Sequence, residues 1–190
     1  MLRRALAPVL VAAFLFVTIG THAEAGERHH HHPNLHDLRH ATAKFHSVKV
    51  AEKAGYGRLL DKDGIACIDM PPLGAMGIHY VNGPLVQDGK INARTPEAVL
   101  YEPGRYGRLR LVGVEYIVDK AVWDAKHRHK PRLFGEDFDT TGAGNRFDLA
   151  PFYSLHVWVW KHNPAGTFTM WNPRVHCPGS SHRMTHAGAH

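Results

Sequence analysis

The sequence predicts an α+β fold in which an N-terminal helix packs on a curled or barrel-like antiparallel sheet. Between residues 36 and 54, apolar residues recur three or four positions apart, which is the spacing of an amphipathic helix. Most later apolar runs are short and rich in β-branched and aromatic residues, and turns rather than helices separate them. Strands joined by turns form antiparallel sheets, so these patterns together indicate an α+β domain.

The individual elements follow from the same patterns. The helix is predicted over residues 36–54, and Gly55 ends its apolar repeat. Strands are predicted where apolar runs stand between turn-forming residues, at 65–70, 76–81, 98–101, 109–118 and 152–161. A basic segment (126–132) and a loop rich in Gly, Asp and Asn (135–145) precede the last strand, and the chain is predicted to be irregular after Pro164.

Composition and charge exclude several classes of protein. The chain has 190 residues, of which 44% are hydrophobic, and its formal net charge is +6 with histidine neutral. These values argue against a disordered chain. The positive charge is scattered and forms no stripe of Lys and Arg interleaved with aromatic residues, so we expect no nucleic-acid partner. The chain also lacks a Ser-His-Asp signature, a Gly-rich phosphate loop and a Cys-x-x-Cys pair, which argues against the common hydrolases.

Residues 1–25 have the features of a signal peptide. Arg3 and Arg4 precede an apolar run at 7–20, and 23–25 (Ala-Glu-Ala) offer a small-x-small cleavage site. The run is shorter than the roughly 20 residues that a membrane-spanning helix needs, which favours a cleaved signal over an anchor. We therefore expect a secreted or periplasmic protein with no transmembrane span after cleavage. Its parts are a His-rich flexible arm (26–35), a single globular domain (36–178) and a His-containing flexible tail (179–190).

Two cysteines, Cys67 and Cys177, remain after cleavage. An even number of cysteines in an exported chain favours one disulfide, which would close a loop over most of the domain. In a competing interpretation Cys177, His182 and Met184 form the ligand loop of a blue-copper electron carrier, which requires a free thiol. Only Arg183 separates His182 from Met184, a spacing that is tight for two ligands of one ion, so the disulfide is preferred.

Three predicted strands are apolar on both faces, yet each carries an ionisable residue near its middle. These residues are His79, Glu115 and His156. A carboxylate buried alone costs several kcal/mol, so Glu115 must be paired, protonated or bound to a cation. Two His and one carboxylate form a site for Zn²⁺ or Fe²⁺ with open positions for water or substrate. The alternative is a metal-free core network in which Glu115 accepts hydrogen bonds from one or both imidazoles. If chemistry occurs at this site, Glu115 is its base or metal-orienting group.

Histidines also accumulate at both ends of the chain. Four consecutive residues (His29, His30, His31 and His32) lie in the predicted arm, and His36 and His40 stand one helical turn apart. Such tracts bind Ni²⁺, Cu²⁺ or Zn²⁺ weakly. The alternative is a solubilising arm that gains charge only in acid.

Three segments carry a resemblance to a known family. They are 74–82 (GAMGIHYVN), 111–116 (LVGVEY) and 155–166 (LHVWVWKHNPAG), supported by 171–177 (WNPRVHC). Together they resemble a family of small exported bacterial proteins of unknown function, over about residues 40–177. The resemblance implies export and a shared domain, and it places His79, Glu115 and His156 inside the segments that carry it.

These observations favour one function and leave one alternative. The favoured function is an exported protein that binds a divalent metal ion (Zn, Fe or Cu) or a small molecule in a pocket lined by His79, Glu115 and His156. The alternative is a non-catalytic binding or structural module of the cell envelope whose His-rich arms bind metal peripherally.

Overall fold

The centre of the structure is a seven-stranded sheet in which every pair of neighbouring strands is antiparallel. The computed structural model describes residues 34–178, so the predicted signal peptide, nearly all of the predicted arm and the tail lie outside the described residues. In order across the sheet, six of the strands are β1 (Gly57–Arg58), β3 (Gly74–Val81), β4 (Ala98–Pro103), β5 (Leu109–Asp119), β9 (Phe152–Val157) and β8 (Asp139–Thr141). The seventh strand, β2 (Cys67–Met70), also pairs with β3.

Smaller elements connect and cover these strands. A separate two-stranded hairpin consists of β6 (Arg132–Leu133) and β7 (Glu136–Asp137). The α-helices are α1 (Leu35–Thr42), α2 (Val48–Lys53), α3 (Gly83–Gln87) and α4 (Lys120–Asp124), and short 3₁₀ helices span Ala43–His46 and Arg105–Gly107. Within residues 34–178, no helix is both long and apolar enough to cross a membrane.

The α+β class with an antiparallel sheet is confirmed, but the predicted curled or barrel-like closure is wrong. The sheet is open, because β8 at one end pairs only with β9 and β1 at the other end pairs only with β3. These edge strands have three and two residues. Closing a barrel requires continuous pairing between the first and last strands, and edges this short cannot supply it.

The single helix predicted over residues 36–54 is also interrupted. It consists of α1, a 3₁₀ turn and α2, and Ser47 between the last two has extended backbone angles. The hydroxyl of Tyr101 in β4 donates a 2.7 Å hydrogen bond to the carbonyl of Phe45. In a continuous helix this carbonyl would instead accept a hydrogen bond from a backbone N–H of the same helix. Leu38, Phe45 and Ala51 are buried in the same apolar cluster as residues of the sheet.

A one-residue bulge in β5 changes which of its side chains lie on which face of the sheet. The register pairs Leu100 with Gly113 but Tyr101 with Leu111, so Val112 is extra. Regular alternation predicts Leu111 on the face of Glu115, but Leu111 packs in the cluster on the helix side, whereas Val112 packs with Leu100 on the other side.

The last predicted strand, 152–161, ends at Val157 instead. The backbone N–H groups of Trp160 and Lys161 both donate to the carbonyl of Val112, the extra residue of the bulge. Trp160 therefore leaves the face of His156 and packs against the helix-side cluster, where its ring N–H donates to the hydroxyl of Thr42.

The predicted disulfide is confirmed: Cys67 in β2 is bonded to Cys177, and no free cysteine is found among the described residues. A sulfur held in a disulfide is not the thiolate that a blue-copper centre needs, so that interpretation of Cys177 is wrong. Its other two proposed ligands, His182 and Met184, lie outside the described residues.

Candidate metal centre

The strand register directs three ionisable side chains to one face of the sheet. Across four neighbouring strands, Val81 pairs with Ala98, Ala98 with Glu115, and Glu115 with His156. Residues directly opposite each other in a sheet share a face. His79 lies two residues before Val81 in β3, so it projects from the same face.

A small residue in β4 leaves room for His79 and Glu115 to meet. These two residues lie on strands separated by β4, and two strand spacings amount to roughly 10 Å. Leu100 of β4 lies opposite His79, but the residue opposite Glu115 is Ala98, which is fully buried and whose methyl group leaves space for the two long side chains to approach diagonally. His79 Nε2 lies 3.3 Å from Glu115 Oε2. His156 Nδ1 lies 3.5 Å from Glu115 Oε1 on the other side.

Burial and charge set the protonation states of this group. His79, Glu115 and His156 are 3%, 4% and 3% exposed. Burial by itself would raise the pKa of Glu115, but the two imidazoles and a hydrogen bond from Ser154 outweigh it and hold that pKa well below its ordinary value. Burial lowers the pKa of the His156 imidazole. At neutral pH Glu115 is therefore ionised.

The metal-free network is incomplete within residues 34–178. His79 Nδ1 and His156 Nε2, the ring nitrogens that do not face Glu115, are buried and have no hydrogen-bond partner there. An unsatisfied buried polar group costs about 1–3 kcal/mol.

The donor atoms are close enough together to hold one metal ion. One nitrogen from each histidine and one oxygen of Glu115 all lie within 4.8 Å of one another. No other group of three or more His, Cys, Asp or Glu residues in the described part of the chain meets this condition. The group could thus hold a divalent cation between two imidazole nitrogens and one carboxylate oxygen.

The three side chains line a cleft of about 660 Å³. This volume is typical of sites for small molecules. Its walls are mainly apolar, and they include Val81, Val86, Ile117, Leu149, Phe152 and Trp171. The ring of Phe147 contacts the edge of the His79 ring at a centroid distance of 6.2 Å, so this side of the cleft covers the imidazole.

An ion pair holds the covering segment in place. Arg146 Nη2 lies 2.8 Å from Asp61 Oδ2, and the backbone carbonyl of Arg146 accepts from the N–H of Lys62. The hydrogen bond from Arg146 lowers the pKa of Asp61, which keeps this carboxylate ionised. Sequence reasoning missed Arg146, Phe147 and Leu149 as cleft residues, because they belong to a polar loop whose path depends on this distant contact.

Of the other histidines that the sequence pattern singled out, the two that the structure describes, His36 and His40, do not join this group. His36 and His40 are exposed on α1, one turn apart as predicted. His29, His30, His31 and His32 lie outside the described residues.

Comparison of the chain with protein-family models, with curated proteins and with solved structures finds no match. The case for a function therefore depends on the geometry and chemistry of the site.

Proposed function

We propose that this chain is an exported protein that binds one divalent metal ion through His79, Glu115 and His156 and accepts a small molecule in the cleft above it. The observation that carries this proposal is the convergence of three buried donor atoms within 4.8 Å of one another. Burying an ionised carboxylate in an apolar cleft is costly, and a bound cation offsets that cost.

The donor set suits a centre that also interacts with a ligand. Two imidazole nitrogens and one carboxylate oxygen suit Zn²⁺, Fe²⁺ or Cu²⁺, and they leave coordination positions for water or substrate. The cleft supplies apolar surface next to these positions. If a reaction occurs here, Glu115 is the residue that we expect to orient the metal or to accept a proton.

Export is part of the proposal and has separate support. The disulfide between Cys67 and Cys177 is typical of oxidising compartments such as the periplasm and the extracellular space. The predicted signal peptide and the resemblance to small exported bacterial proteins point in the same direction.

Metal analysis tests the proposal directly. The full chain is first changed to serine at His29, His30, His31 and His32, so that the arm cannot contribute. It is then stripped with a chelator, reloaded separately with Zn²⁺, Fe²⁺ or Cu²⁺, and desalted. We expect about one tightly held ion per chain, as a single three-ligand site requires. Glu115→Gln, which keeps the size of the side chain, and a variant with Ala at all three positions should lose it.

A matched control keeps this result specific. His176→Ala removes an exposed histidine and should retain the metal. Circular dichroism checks that each variant is folded. Equal metal in the parent and in the folded Glu115→Gln variant would overturn the proposal.

Comparing the metal content of the unchanged chain with that of the serine-substituted chain tests the alternative function, an envelope module with metal-binding arms. His36 and His40 on the exposed side of α1 fit that alternative. It predicts that the serine changes in the arm abolish most of the metal uptake and that changes at Glu115 have no effect.

A further inference from the structure

The cleft contains an unusual concentration of methionine. The chain has five methionines, and three of them, Met70, Met76 and Met170, fall within residues 34–178. All three line the cleft that holds His79, Glu115 and His156. These residues come from three different segments, so their shared position is a product of the tertiary structure.

A bulge in β3 brings Met76 to the same cleft as His79. Residues three apart in a regular strand point to opposite faces. Between the pairs Ile68–Gly77 and Asp69–Ala75, however, Met76 has no opposite residue in β2. Gly77 has a φ of +88°, and a Cβ there would lie 2.5 Å from the carbonyl oxygen of Tyr101. This backbone conformation, which favours glycine, shifts the alternation and directs Met76 into the cleft.

The other two methionines are held beside this bulge. Met70 pairs with Gly74 at the start of β3. Ala75 and Asn172 exchange two backbone hydrogen bonds of 3.1 Å, which ties the segment containing Met170 to the same strand.

Hydrogen bonds also fix the backbone on both sides of Met170. The ring N–H of Trp158 donates to the carbonyl of Thr169, and the side-chain amide of Asn163 donates to the carbonyl of Trp171. The disulfide joins β2 to the end of this segment. The three methionine segments are therefore tied to one another as well as to the metal-binding face.

We infer that the cleft is a copper site, in which the thioethers of Met70, Met76 and Met170 supply soft donors for Cu(I) beside His79, Glu115 and His156. This inference rests on the proposed function: the three-residue site that takes a divalent ion also takes Cu(I), and copper is the metal that the donors of the whole cleft suit best. Thioethers select Cu(I), whereas carboxylates favour harder divalent ions, and imidazole suits both.

Competition with chelators tests the inference on the full chain with the four arm histidines changed to serine. Cu(I) affinity is measured against bicinchoninate under nitrogen with ascorbate, and Zn²⁺ affinity against a zinc-responsive dye. The triple variant Met70→Leu/Met76→Leu/Met170→Leu keeps the apolar volume and removes every thioether from the cleft. Leu149→Ile is the matched control, because it alters an apolar cleft residue without changing any donor.

Two opposite effects are expected. The methionine variant should bind Cu(I) at least about tenfold more weakly and leave Zn²⁺ binding unchanged, because zinc gains little from thioethers. Glu115→Gln should weaken Zn²⁺ more than Cu(I). X-ray absorption of the copper-loaded parent should show sulfur neighbours that the methionine variant lacks.

The failures are distinguishable. Unchanged Cu(I) affinity in the methionine variant, with zinc still lost in Glu115→Gln, would overturn the copper inference and leave the proposed function standing. The methionines would then be flexible apolar lining. If Glu115→Gln bound both metals as the parent does, the proposed function and this inference would fail together.

Discussion

A second buried glutamate, Glu97, provides a test of how burial controls charge in this fold. Glu97 directly precedes β4 and is 2% exposed, and one of its carboxylate oxygens accepts a 3.0 Å hydrogen bond from the backbone N–H of Ile117. Burial raises its pKa from 4.5 to about 8, with smaller contributions in the same direction from Asp88 and Glu115, while the hydrogen bond acts against the rise. Glu97 is therefore largely protonated in the folded protein at neutral pH.

The sign of the pH effect follows from this raised pKa. Below pH 4.5 the carboxyl group is protonated in both states, so its contribution to stability is fully present. Between pH 4.5 and about 8 the unfolded chain releases the proton and the folded chain retains it, so the free energy of unfolding falls as the pH rises. A pKa difference of this size corresponds to a total loss of about 5 kcal/mol once the folded pKa is passed.

The variant Glu97→Gln removes this dependence because an amide does not ionise. The free energy of unfolding is measured with urea for the parent and for the variant, at pH 4.5 and at about pH 8. The difference between the two proteins is then compared between the two pH values. We expect the difference to move in favour of the variant by several kcal/mol, up to about 5 kcal/mol, as the pH rises. Contributions from other ionisable groups largely cancel in the comparison. A difference that stays constant with pH would refute the reasoning that burial keeps Glu97 neutral.

Two further predictions concern stability. Replacing Cys67 and Cys177 by serine opens a loop with a sequence separation of 110. We expect this change to lower the free energy of unfolding, measured with urea, by about 4–5 kcal/mol. A loss below about 1 kcal/mol would contradict the loop-entropy argument. Gly77→Ala forces an alanine into a positive φ and against the Tyr101 carbonyl, so it should cost about 2–5 kcal/mol by the same assay. Gly57→Ala is its control, since a Cβ there meets nothing within 4 Å, and an equal cost at both positions would contradict the steric argument.

Local patterns predicted the bounds of the two longest strands well, although each strand carries a bulge. The predicted strand 109–118 is β5 with one added residue, and 76–81 is β3 extended by two residues at its start. The prediction was wrong where a distant group competes for a backbone carbonyl. The helix breaks where Tyr101 takes the carbonyl of Phe45, and the last strand ends near the bulge at Val112.

The candidate site likewise has one part that local patterns predict and one part that depends on distant contacts. An ionisable residue in the middle of an otherwise apolar strand is visible in the sequence, and His79, Glu115 and His156 were selected on that basis. The cleft around them was not predicted. Met76 enters it through a bulge in β3, and Phe147 through a loop that the Arg146–Asp61 pair holds in place.

The α+β composition, the turns and the charged side chains within apolar strands could be predicted, because they depend on spacing along the chain and on the alternation of a single strand. The folded chain alone shows that β3, β5 and β9 bring their polar residues together, that the small residue opposite Glu115 is Ala98, and that three methionines share the cleft. Strand neighbours, bulges and loop paths depend on contacts between residues far apart in the chain, and no local pattern encodes their geometry.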